Sequence, residues 1–125
     1  MEDEKNLIIL VDDNPANLKI GKNILSEKYT VATVPSAEKL FSRLESIYPS
    51  LILLDIDMPE MDGFEAMAIL MSKPETKDIP VVFLTGMVNS QDEEKGRALG
   101  AVDYITKPFD PPVLIACIEK HTTPQ

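Results

Sequence analysis

One cysteine, one histidine, no tryptophan and only five glycines are spread over 125 residues. Each shortage excludes something. A lone cysteine, Cys117, cannot form an internal disulfide or a multi-cysteine zinc site. Its setting in "VLIACIEKH" reads as a buried, inert thiol. No apolar run approaches the ~18 residues that a membrane span needs. The opening "MEDEKN" is the opposite of a basic leader. These features predict a soluble protein of a reducing, cytoplasmic compartment. Basic charge is also scarce, with 12 Lys and Arg against 21 Asp and Glu, a formal net charge of −9. Such a balance argues against direct binding to a nucleic-acid backbone and leaves room for a cation or a basic partner. His121, in "EKHTTPQ", has no acidic partner visible in the sequence and reads as an ordinary helix-end residue.

What is abundant is aliphatic. At 44% hydrophobic and 26% charged residues, the chain has the make-up of one folded domain. Five short runs stand out: "LIILV" (7–11), "TVATV" (30–34), "LILL" (51–54), "VVFL" (81–84) and "VDYI" (102–105). Most lack the alternation of a half-exposed strand and read as strands covered on both faces. Helix starts lie between them. Asn14-Pro15 and Asp110-Pro111 each place a capping side chain before a proline at the first helical position. Asp62 with Glu65, and Ser90 with Glu93, have capping-box spacing, and Ser36 is a further cap. Strand and helix alternate five times without a linker. The expectation is an α/β fold: a doubly wound, flavodoxin-like, five-stranded parallel sheet in the order 2-1-3-4-5.

Ligands of such sheets bind beyond the C-terminal ends of the strands. The residues at those ends are Asp12 and Asp13, then Asp55, Thr85 and Lys107; the second strand ends in Val34-Pro35-Ser36 without charge. Taken singly, "VDDN" is a turn and cap, Thr85-Gly86 a loop start, and Lys107-Pro108 a solvated lysine before a rigid turn. Asp55 is harder to explain structurally, because a buried aliphatic run has little reason to end in an acid. Two carboxylates about 4 Å apart repel by about 4 kcal/mol at an effective dielectric of about 20. Three in one pocket need a counter-charge, or one stays protonated. An oxygen-only donor set selects a hard cation, Mg²⁺ before a transition metal. With Lys107 as a second positive charge and Thr85 as a hydroxyl, the set suits phosphoryl transfer, and Asp55 is the candidate nucleophile for an aspartyl-phosphate.

At these residues the chain resembles the receiver domain of two-component response regulators, the CheY-like family. The matching stretches are "ILVDDNP", "LILLDIDMPEMDG", "VVFLTG" and "GAVDYITKPFD", in the family's order and over about Leu7 to His121. The resemblance implies that Asp55 accepts the phosphoryl group and that Asp12 and Asp13 hold Mg²⁺, with Asp55. It implies that Asp57 adds its backbone carbonyl to the metal. Gly86 and Ile56 would flank the phosphoryl group, Thr85 and Lys107 would engage its oxygens, and Tyr104 would be the switch aromatic. Pro108 fits a cis Lys-Pro bond that aims Lys107 inward. The resemblance also implies that Asp57 and Met87 lie where side-chain identity tunes phosphate lifetime in that family. Ser50 and Val102 stand where the family often has acids, away from the chemistry.

The implied function is a phosphorylation switch that catalyses only its own phosphorylation and dephosphorylation. Its partners would be a sensor histidine kinase or phosphotransfer protein, and a downstream protein or fused output domain; dimerisation on phosphorylation stays open. Residues 1–125 read as a single receiver domain without an output domain, either stand-alone or part of something longer. A binding-only receiver that is never phosphorylated is one alternative, and a phosphohydrolase is the rival from another class. A haloacid-dehalogenase-like phosphohydrolase shares a D-x-D motif with "DID", but its acidic pair comes after that motif, whereas Asp12-Asp13 precedes it. A flavin site would need a Ser/Thr/Gly-rich loop after the first strand, which is missing. Met58, Met61, Met67 and Met71 read as loop and core packing, with a partner-binding role for Met58 or Met61 as the other reading. "QDEEKGR" reads as a solvated helix face or a docking surface.

Overall fold

The computed structural model describes residues 5–86 and 89–122. Its five strands are β1 (Leu7–Val11), β2 (Thr30–Val34), β3 (Leu51–Asp55), β4 (Val81–Thr85) and β5 (Asp103–Thr106). They alternate with α1 (Pro15–Leu25), α2 (Ala37–Leu44), α3 (Gly63–Met71), α4 (Ser90–Leu99) and α5 (Pro111–His121). The sheet is parallel throughout, in the order β2-β1-β3-β4-β5, as the alternation led us to expect. Val102 falls outside β5, which begins one residue later than the aliphatic run suggested.

Side chains on a strand point alternately to opposite faces, and both faces of this sheet are covered. Ile9, Val11, Ile52, Leu54, Val81 and Phe83 meet Leu40 of α2 and Phe64, Met67 and Leu70 of α3. Ile8, Leu10, Leu51, Leu53, Val82, Leu84 and Ile105 meet Leu25 of α1 and Leu114, Cys117 and Ile118 of α5. Every residue of β3 and β4 is buried. Each large aliphatic side chain removed from water contributes about 1.5–3 kcal/mol, so Leu51–Leu54 anchor β3 firmly in the core. Asp55 closes that anchored strand.

The helix starts obey local chemistry, with two corrections. Asn14 accepts from the Ala16 N–H, Ser36 from Lys39, and Asp62 with Glu65 closes a full capping box. The cap of α4 is Asn89 rather than Ser90: its side chain accepts from the Asp92 N–H at 2.8 Å, and Ser90 is the first helical residue. At α5, Asp110 holds the cap position but makes no side-chain cap bond. Pro112 removes one of the two N–H groups such a cap can use. The Asn14 device uses the N–H of the second helical residue, and in α5 that residue is a proline with no N–H to give. Met58 and Met67 are buried and Met61 packs against the core, whereas Met71 is 40% exposed and is not a core residue. In the charge run of α4, Gly96 is buried against Phe83 and the neighbouring residues are solvated. None of the described helices is long and apolar enough to cross a membrane.

Candidate phosphoryl and cation site

Four strand ends meet at the C-terminal edge of the sheet. Asp12 comes directly after β1, Asp55 closes β3, Thr85 closes β4, and Lys107 comes directly after β5. Backbone bonds lock these ends together: Ile56 N–H donates to Leu84 O at 3.0 Å, and Lys107 N–H to Thr85 O at 2.8 Å. The Lys107-Pro108 bond is cis, as the resemblance implied. The ammonium of Lys107 lies 3.1 Å from Asp55 Oδ1 and 3.3 Å from Asp12 Oδ2. Burial alone would lower the pKa of that ammonium. The hydrogen bond and charge of Asp55, then those of Asp12, outweigh burial and raise it, so Lys107 stays charged.

Asp12 is fully buried and well supplied with donors. Its Oδ1 accepts from the Asn14 N–H at 2.9 Å, and its Oδ2 from Asn17 Nδ2 at 3.2 Å as well as from Lys107. Asp55, 1% exposed, is supplied less well. Its Oδ1 accepts from Lys107 and from the Asp57 N–H at 3.2 Å, but Oδ2 is buried with no protein partner. Burial, then the Asp12 charge, pushes the Asp55 carboxyl up to about 6 against the pull of Lys107 and Asp57. An acceptor left alone in a dry site is expensive, by about 1–3 kcal/mol and more when charged. Exposed Asp13 completes the set: Asp12, Asp13 and Asp55 each offer an oxygen, all within 4.8 Å of one another.

The other predicted residues take distinct places. Thr85 is buried and Gly86 exposed beside it, with open space where a Cβ would project. Ile56 is buried, and its carbonyl accepts from both Met58 and Gly63 N–H, folding the exit loop back on itself. Asp57 is exposed and contributes its N–H to Asp55. Met87 lies outside the described residues. Tyr104 stands apart from the carboxylates. Its ring packs on Phe83 at 5.6 Å, and its hydroxyl donates to the carbonyls of Asp92 at 2.5 Å and Glu93 at 3.2 Å in α4.

Two contributors escaped the sequence reading. Asn17 lies one turn into α1, three residues beyond the cap Asn14, and that spacing was the only signal that it faces Asp12. Gly63 sits under Asp55: a Cβ there would fall 2.5 Å from Asp55 O and 2.8 Å from Ile56 Cα, both backbone atoms.

A family model described as "Response regulator receiver domain" matches residues 8–119. The chain belongs to that family. Among relatives of this receiver domain, a Vibrio cholerae protein named "Probable cyclic di-GMP phosphodiesterase" is 40% identical over 114 residues. That alignment takes in 91% of this chain but 26% of the relative, so the receiver domain spans about a quarter of its length. Chemotaxis protein CheY4 of Vibrio cholerae superposes with a TM-score of 0.89 over 94% of this chain and 98% of its own; at 24% identity it attests the fold alone. The receiver domain of sensor histidine kinase PA1611 of Pseudomonas aeruginosa is 26% identical, with a TM-score of 0.84 over 94% of this chain and 97% of that one. It was solved with a magnesium ion in its active-site cleft. Phosphorylation-dependent switching is the function of the receiver family, and this chain is one of its receiver domains.

Proposed function

We propose that Asp55 is the phosphoryl acceptor of this receiver domain and that Asp12, Asp13 and Asp55 bind Mg²⁺ for the transfer. The observation that carries the proposal is Asp55 Oδ2, buried without a protein partner beside a second buried carboxylate and an exposed third. Three carboxylates with one ammonium leave an excess of negative charge, and hard oxygens in that arrangement fit Mg²⁺. When bound, the ion would neutralise charge on the transferred group. The magnesium in the cleft of the Pseudomonas receiver agrees with this reading.

The chain's own residues would do the rest. A carboxylate oxygen of Asp55 attacks the phosphorus of a phosphohistidine. A P–O bond forms as the P–N bond breaks, and the electron pair leaves with the imidazole. The Lys107 ammonium, already at the acceptor, meets the charge on the incoming oxygens. The Thr85 hydroxyl and Gly86 N–H serve as further donors at the same edge, and the Asp57 carbonyl as a metal ligand. Loss of the phosphate is attack by water at the same phosphorus. The donor is a histidine kinase or phosphotransfer protein.

Tyr104 would report the event. Its hydroxyl ties β5 to the first turn of α4, a seat that depends on Gly96. Movement of Thr85 toward the phosphate would weaken that seat, and a partner or output domain would read the altered α4-β5-α5 face. The switch is a population shift, so phosphorylation must favour one state by several kcal/mol.

Intact mass after incubation with Mg²⁺ and acetyl phosphate tests the assignment. A gain of about 80 Da, one phosphoryl group, should appear in the wild type and vanish in Asp55→Asn or with chelator. A gain that persists in Asp55→Asn would place the acceptor elsewhere. A wild type that gains nothing from acetyl phosphate or from a panel of histidine kinases would leave the binding-only reading standing.

A further inference from the structure

At the opposite edge of the sheet a second constellation forms, unrelated to the phosphoryl site. Asp103 opens β5, and Cys117 and His121 lie on α5 four residues apart, the spacing that puts two side chains on one helical face. The three donor atoms, an oxygen, a sulfur and a nitrogen, all lie within 4.8 Å of one another. His121 Nε2 is 3.0 Å from Asp103 Oδ2, and Cys117 Sγ is 3.7 Å from the same oxygen. His121 is therefore not an unpartnered helix-end residue: the packing of α5 on β5 supplies the acid that the sequence hid.

From this geometry we infer a second metal site, of the Asp-Cys-His type, for a borderline divalent ion such as Zn²⁺. With zinc bond lengths of about 2.0–2.3 Å, tetrahedral ligands stand about 3.3–3.6 Å apart. The two measured spacings straddle that range, so small side-chain adjustments would admit an ion. The donor set matches what zinc prefers and what Mg²⁺ rejects. Asp103 is also prepared as a ligand. Its Oδ1 accepts from the Tyr104 N–H at 2.9 Å, which fixes the carboxylate and leaves Oδ2 facing the cysteine and histidine. Outer partners of this kind orient metal ligands. Cys117 is buried, but the side chains of His121 and Asp103 are 17% and 28% exposed, so an ion has a route in and a fourth position can hold water.

Without metal, burial and then the Asp103 charge push the Cys117 thiol up to about 12, and it stays protonated. On binding, the S–H proton leaves to solvent and a metal–sulfur bond replaces it. The site would staple the last turn of α5 to the first residue of β5, next to Tyr104.

The test uses Co²⁺ as the probe, because a cobalt-bound thiolate gives a near-ultraviolet charge-transfer band that carboxylate sites lack. Chelator-treated protein is titrated with Co²⁺ in excess Mg²⁺, which keeps the phosphoryl site occupied. The expected result is a thiolate band that saturates at one ion per chain and is bleached by Zn²⁺. It should be lost in Cys117→Ser, and His121→Ala and Asp103→Asn should each weaken binding at least about tenfold. His121 is at the end of its helix, so His121→Ala keeps the question open to test even where Cys117→Ser folds poorly. Three results would overturn the inference: no thiolate band in the wild type, a band unmoved by His121→Ala, or cobalt binding removed only by Asp12→Asn.

Discussion

Replacing Asp55 by asparagine should make the metal-free protein more stable at neutral pH, while abolishing phosphorylation. Asparagine has the shape of the protonated acid but never ionises. In the folded protein the Asp55 carboxyl is pushed from 3.8 up to about 6, by burial first and then by Asp12. Its folded pKa is raised, so the native state holds the proton more tightly than the unfolded chain does. Stability is then greatest below the unfolded pKa and is lost as pH rises through about 6. At about 1.4 kcal/mol per pH unit, a shift of roughly two units amounts to about 3 kcal/mol above pH 7. The residue is 1% exposed, so solvent does little to reduce that figure. Urea unfolding in chelator at pH 7.5 should show the Asn variant more stable by about 3 kcal/mol, a midpoint shift of about 1–3 M. At pH 4 the gap should shrink below about 1 kcal/mol, because both forms of residue 55 are then neutral in the fold. Millimolar Mg²⁺ should narrow the gap at pH 7.5 by stabilising the wild type more than the variant, which keeps only two of the three carboxylates. A gap that is absent at pH 7.5, or equally large at pH 4, would refute the account of Asp55 as a destabilised buried carboxylate.

Contacts around the site lead to three more expectations. Lys107→Met removes the ammonium shared by Asp55 and Asp12; the Asp55 carboxyl should titrate above about 6 by carbonyl NMR, and phosphorylation by acetyl phosphate should slow on the order of 100-fold. Gly63→Ala drives a Cβ into the backbone of Asp55 and Ile56, and urea unfolding should show a loss of about 1–3 kcal/mol with slower phosphorylation. Tyr104→Phe deletes the hydroxyl that donates to Asp92 O; thermal or urea unfolding should register a loss of about 1 kcal/mol, with acetyl-phosphate labelling of Asp55 intact.

How much of the molecule is legible in its sequence varies with the range of the interaction. The strands were legible because a parallel sheet covered on both faces needs unbroken aliphatic runs, and "LIILV" or "LILL" has little other use. Helix starts were legible where one side chain reaches one backbone N–H, as at Ser36 and Asp62. They misled where a neighbour competed. Asn89 displaced Ser90 by one residue, and at Asp110 the following Pro112 removes one N–H a cap could use. The acids and the lysine of the site were legible as strand-end residues, since chain order alone sends all the ends of a parallel sheet to one edge.

The sequence by itself therefore determined the alternation of elements, the covered sheet and the types of side chain placed at its C-terminal edge. All of these depend on neighbours within a few residues and on side-chain chemistry. Tertiary structure decided what no local window holds. Lys107 reaches Asp55 across 52 residues and Asp12 across 95, while burial and then Asp12 push the Asp55 carboxyl up to about 6 with its Oδ2 unpartnered. Gly63 must be small only because the exit loop passes under β3. His121 finds Asp103 and Cys117 because α5 lies back across β5, a placement set by the burial of Leu114 and Ile118 and not by anything near the histidine in the chain.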